Sequence, residues 1–151
     1  MATTPTRTTR RPVQAAALLV GVVFLLAGVL GFIPGATTGD LSFAGPHTHA
    51  LLFGLFAVSV LHNLVHLLFG VLGVVASAWR GASRFFLVVG GGIYLLLWVY
   101  GSYIREGGPL PVNVADNWLH LGLGATMILL GVATTAVERS RGQYPGREQR
   151  G

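Results

Sequence analysis

Six side chains have the type and spacing to do chemistry: Asn63 and His66, Asn117 and His120, and, one turn nearer the start of each stretch, His62 and Asp116. They fall in two copies of one pattern, Val58 to Leu67 and Val112 to Leu121, each with a glycine four residues beyond the histidine, at Gly70 and Gly124. Residues at i and i+3 are neighbours on a helix surface, so each Asn-x-x-His pair is expected to point as a unit. Polar side chains within an apolar span normally face the bundle interior. One chemistry open to them is a hydrogen-bonding clamp between helices, in which each contact is worth only about 0.6 kcal/mol but fixes register where apolar packing does not. Another is ligation. His66 and His120, at matching depth, are placed as bis-histidine haem ligands would be, with a glycine one turn away to make room for a porphyrin. A divalent metal would need further ligands, for which His62, Asp116, His47 and His49 are at hand. The same cluster also suits a quinone or a proton relay. The residues favour the clamp, a cofactor site is the alternative, and they name no cofactor.

The composition says what must hold these residues. Hydrophobic residues make up 52% of the 151 and charged residues only 10%, with a mean hydropathy of +0.66. A soluble domain carries roughly 25% charged residues, so this chain is expected to be solvated mostly by lipid. A membrane-spanning helix needs about 20 predominantly apolar residues. Four stretches qualify, near 13–33, 60–79, 84–104 and 114–137, and charges lie only at their ends, as Arg84 and Asp116 do. The absence of cysteine excludes disulfides, thiolate catalysis and thiolate metal sites.

The net charge of +5 comes from ten arginines and no lysine. Arg7, Arg10 and Arg11 precede the first span, Arg80 and Arg84 lie between the second and third, and Arg139, Arg141, Arg147 and Arg150 follow the fourth; Arg105 alone falls on the other side. Such a bias places both termini in the cytoplasm of a bacterial cell with the protein in its cytoplasmic membrane. Arginines split among three juxtamembrane segments suit anionic lipid better than nucleic acid. The tails at 1–11 and 139–151 are polar and are expected to be disordered.

The apolar segment from 51 to 58 either extends the second span or forms a separate interfacial element. The repeat favours the second, since Ser59 aligns with Asn113 and both are good helix N-caps. A fainter echo, Gly21 to Leu26 against Gly91 to Leu96, suggests two helical hairpins of the same orientation related by an axis along the membrane normal. His62 and Asp116 would then meet as an imidazole–carboxylate pair. Trp79, Trp98, Tyr100, Tyr103 and Trp118 lie near span ends, where such rings form an interfacial belt. Gly90 to Gly92 sits within an apolar span and marks close packing rather than a nucleotide loop.

With its size, four spans and basic ends, and with the motifs Leu61 to Gly70 and Asn117 to His120, the chain resembles a family of small bacterial integral membrane proteins known only as a domain of unknown function. The resemblance implies a four-span protein and carries no activity. The expected fold is therefore an all-α membrane bundle of two parallel-repeat hairpins. No nucleophile–base–acid set or paired carboxylates mark it as an enzyme, and homo-oligomerisation is left open.

Overall fold

The computed structural model describes residues 11–45, 48–103 and 110–140. Four helices dominate it: α1 (Pro12–Leu30), α2 (Val60–Ala76), α3 (Arg80–Tyr103) and α4 (Val114–Ser140). Three of them, α1, α3 and α4, are long and apolar enough to cross a membrane; α2, at 17 residues, is apolar but shorter. That composition and length indicate a membrane protein. The expected boundaries shift by a few residues. The first helix stops at Leu30 because Gly31 caps it, α2 stops at Ala76, and α3 begins at Arg80, four residues early. The expected tails fall outside the described residues, apart from Arg11, which caps α1, and Arg139 and Ser140, which belong to α4.

The helix ends are held by side chains that the sequence places locally. Pro12 occupies a first-turn position where its missing N–H costs nothing. Gln14 accepts from the Arg11 N–H at 3.2 Å, and its amide donates to the carbonyls of Ser77 and Ala78 at 3.1 and 3.0 Å, so one residue closes the start of α1 and the end of α2. The Ser83 hydroxyl lies 2.9 Å from the carbonyls of both Ala76 and Trp79, tightening the short α2–α3 link.

Helix α1 packs most extensively on α2, and α3 on α4, each pair antiparallel. Glycines set the spacing. A Cβ on Gly21 would come within 2.7 Å of the Val74 backbone nitrogen, and one on Gly91 within 2.7 Å of the Gly124 carbonyl oxygen. Within the Gly90 to Gly92 run, Gly91 makes the backbone approach, Gly90 accommodates the Met127 side chain, and Gly92 faces open space. Phe24, Leu87, Tyr94 and Met127 are central to the buried core between the two pairs, while Leu19, Val22, Leu26 and Val29 turn the opposite face of α1 outward. An apolar outer face is what lipid requires and water penalises.

Between α1 and α2 the chain forms a three-stranded antiparallel sheet, β1 (Thr37–Thr38), β2 (Leu51–Leu52) and β3 (Phe56–Ala57), in that order, with Thr37 opposite Leu52 and Leu52 opposite Phe56. The segment from 51 to 58 is thus a hairpin and not an extension of α2. Its turn needs two left-handed residues, and Gly54 takes φ 67 readily while Phe53 is held at φ 53, an uncommon conformation for a bulky side chain. The sheet lies over one end of the helices, with the Ala36 carbonyl accepting from the Phe53 N–H at 2.7 Å.

Candidate functional site

The starts of α2 and α4 lie at the sheet end, and both are capped as the repeat predicts. Ser59 Oγ accepts from the His62 N–H at 3.1 Å, and Asn113 Oδ1 accepts from the Asp116 N–H at 2.9 Å. In α4 the cap is reciprocal, because Asp116 Oδ2 accepts from the Asn113 N–H at 2.9 Å. The same oxygen accepts from the Ala57 N–H at 3.0 Å, and Asn113 Nδ2 donates to the Leu55 carbonyl at 2.7 Å. Asp116, almost wholly buried, therefore stitches the third strand to the start of α4.

This arrangement overturns the expected His62–Asp116 pair. No ion pair joins them, and the His62 ring turns to its own helix, where its Nε2 lies 3.1 Å from Nε2 of His66. The carboxylate is drawn away by two backbone N–H groups, those of Ala57 and Asn113. His62, at the equivalent position, has a single acceptor nitrogen in its neutral form and so cannot take both N–H groups as the carboxylate does.

The two Asn-x-x-His pairs also do not act as single units. Asn63 is fully buried and donates from Nδ2 to the Gly31 carbonyl at 2.8 Å, and Asn117 donates to the Ser102 hydroxyl at 3.0 Å. Each amide oxygen occupies the space a Cβ would need on the facing glycine, Gly31 for Asn63 and Gly101 for Asn117. Neither oxygen has an N–H or O–H partner, and in both places it rests over a glycine Cα, a weak C–H···O arrangement that recurs at close helix crossings. The amides thus look into their own helix pairs. Three residues of helix turn the next side chain by about 60°, which is enough to send the histidines elsewhere.

The histidines meet in the middle. The rings of His62 and His66 stand edge to face, with centroids 4.4 Å apart; His66 packs on Phe24 at 5.5 Å, Phe24 on Tyr94 at 5.3 Å, and Tyr94 edge-on to His120 at 5.4 Å. His120 is only 5% exposed. Nδ1 of His66 and Nδ1 of His120 are both buried and have no hydrogen-bond partner. Among the described residues no group of three or more His, Cys, Asp and Glu side chains is placed to hold a metal ion. His47 lies outside the described residues.

Two cavities flank this cluster, and His62, His66, Tyr94 and His120 line both. One, of about 190 Å³, opens between α2 and α3 beside Val65, Ile93 and Leu97. The other, of about 310 Å³, opens between α1 and α4 beside Val23 and Leu119 and is roofed by Phe53 and Phe56 of the sheet hairpin. Apart from the shared wall and Asp116, the linings are apolar.

Sequence reasoning missed the place of Tyr94 and, for Glu138, which it reads as a helix terminus and anchor, the burial and the ion pair. Tyr94 completes the wall, and its only signal is that it stands where Phe24 stands in the faint echo between the first and third spans. Glu138, 1% exposed, lies at the opposite end, 3.5 Å from the Arg80 guanidinium, and joins the end of α4 to the start of α3. A lone acid among arginines near a helix terminus was its only mark.

The fold and site define a helical, membrane-compatible protein with a partly buried histidine cluster between apolar clefts. The chain belongs to the family described as Domain of unknown function (DUF4383), whose profile matches residues 14–133. No curated protein and no solved structure matches it.

Proposed function

We propose that this is a multi-pass protein of the bacterial cytoplasmic membrane, built as two tandem hairpins of the same orientation, whose Asn/His residues form a non-enzymatic binding and clamping centre in the outer half of the bundle. The observation that carries the reading is the duplicated socket: Asn63 against Gly31 in one hairpin, Asn117 against Gly101 in the other. The burial pattern supports it further. In α1 residues 13, 16, 17, 20, 21 and 24 are buried, and in α3 residues 83, 86, 87, 90, 91 and 94, each 70 positions later. At about 26 Å, α2 is a little short of a hydrocarbon core of about 30 Å. Local thinning accommodates that mismatch at modest cost, so all four helices span. The arginine bias puts both termini and the Arg80 to Arg84 link inside, against anionic lipid, and the sheet and histidines outside.

Reporter fusions at Gly81, at Gly107 and at the C-terminus test this. A cytoplasm-only reporter is expected to be active at Gly81 and at the C-terminus, and a periplasm-only reporter at Gly107. Periplasmic activity at Gly81 overturns the orientation, and termini on opposite sides overturn four spans.

One observation favours a second reading, a small redox or cofactor-binding protein using His66 and His120: both present an unpartnered Nδ1. An absorption spectrum of the purified protein with metal analysis separates the two. A Soret band or stoichiometric metal establishes the second reading; a colourless, metal-free sample removes haem and metal from it.

A further inference from the structure

The wall formed by His62, His66, Tyr94 and His120 has two properties that packing alone does not explain. It sets three histidines and a tyrosine on a surface common to two cavities while turning almost none of their polar atoms into either, and it leaves Nδ1 of both His66 and His120 buried without a partner. Buried polar groups are nearly always satisfied, and each exception calls for a reason. The exceptions here fall at matching positions of the two motifs, on a side chain that is 5% exposed in the case of His120. A third feature lies at the mouth of the larger cavity, where Phe53 is held in the left-handed region with φ 53 while it lines the opening. Backbone strain of this kind clusters at ligand clamps.

We propose that the α1–α4 cavity binds a neutral, lipid-soluble ring compound bearing hydroxyl or carbonyl oxygens, of which a quinone or quinol is the simplest kind, with its oxygens on His120 and His66 and its apolar body toward the lipid. This deepens the reading of the histidines as a binding centre and rests on it. The chemistry of the walls selects the head group. No arginine lines either cavity among the described residues, so a phosphate or carboxylate head meets no matching charge. The one carboxylate there, Asp116, is anchored through one oxygen by two backbone N–H groups as the cap of α4 and the tie to the third strand. The His62–His66 contact requires at least one neutral ring, because two imidazolium N–H groups cannot face each other across 3.1 Å. An imidazole nitrogen either donates or accepts according to tautomer, so the same two atoms serve a carbonyl or a hydroxyl. Phe24, Tyr94, Phe53 and Phe56 supply aromatic faces suited to a flat ring. The cavity's apolar walls, Val23 and Leu119 among them, are exposed on the outside of the bundle, so entry is from the lipid.

The test uses the full chain in nanodiscs with ¹⁵N-labelled histidine. Four probes share a decyl tail: a decyl benzoquinone, its quinol, decylbenzene without oxygens, and decanoate with an anionic head. The quinone and quinol are expected to shift the ring nitrogens of His66 and His120 saturably, and the other two are not. His120→Phe, which keeps a ring and removes the nitrogens, should weaken quinone binding about tenfold, the size expected for one lost hydrogen bond. Leu123→Trp, which fills the cavity and leaves every polar group in place, should block it even if His120→Phe fails to fold. Equal shifts from decylbenzene, a stronger response to decanoate, no shift at all, or binding indifferent to Leu123→Trp each overturn the proposal. The readout is local to the two rings and independent of which side the termini face, so its failure is distinct from failure of the topology.

Discussion

The α1–α2 and α3–α4 pairs make the same contacts in different surroundings. Both have a glycine-on-backbone crossing, Gly21 against Gly73 and Val74, Gly91 against Gly124, and both seat an asparagine on a glycine nearer the sheet end. The surroundings diverge. The first pair encloses a sheet and has Phe24 in its buried stripe, where the second has Tyr94; the turn before the histidine carries His62 in one and Asp116 in the other. Asn63 is fully buried on a backbone carbonyl, whereas Asn117 is part-exposed on a hydroxyl. Close helix approach tolerates no added atom, so it is the feature the two halves share, and the polar edges are free to differ.

The sharpest way to break the likeness is at the crossings. Gly21→Val and Gly91→Val both drive a side chain into the facing backbone, and overpacking of that kind costs about 1–3 kcal/mol or more. Both variants should lose most folded protein in detergent melts, while Gly92→Ala, whose Cβ meets nothing within 4 Å, should melt like the parent. If only one of the two valines disrupts the fold, the crossings are not equivalent.

The asparagines give the next largest effect and should separate the halves. Asn63→Ala leaves the Gly31 carbonyl without its donor in a buried place and is expected to cost about 2 kcal/mol, against roughly 1 kcal/mol or less for the more exposed Asn117→Ala. Thermal melts of the two variants side by side measure the difference, and equal losses would mean that burial is not what distinguishes the sockets.

Asp116→Ala removes a reciprocal helix cap and the anchor of the third strand, at about 1–2 kcal/mol. Its specific signature is faster hydrogen exchange at the Ala57 and Asn113 amides. His62→Ala should leave both amides protected, because both donate to the Asp116 carboxylate and neither donates to His62. The smallest effect is expected from Tyr94→Phe, which makes the third helix match the first at this position; a near-isosteric core change should cost about 1 kcal/mol or less in a melt.

Much of this protein follows from its sequence alone. Long apolar runs without interior charge dictate helices suited to lipid, since only a structure that satisfies its own backbone is stable there. Repetition of the cap, amide, histidine and glycine at fixed spacing located both helix starts and both sockets' asparagines, because capping and helical register are local. Tertiary structure alone decided the destinations. The 60° between Asn63 and His66 matters only once α1 lies on one side and the bundle centre on the other, and Asp116 turns from His62 to the Ala57 N–H, which is far away in sequence. The hairpin at 51–57, the burial of Glu138 and the place of Tyr94 in the histidine wall likewise depend on partners distant in the chain. Periodicity records which face of a helix is apolar, but which neighbour that face meets is set by packing the whole.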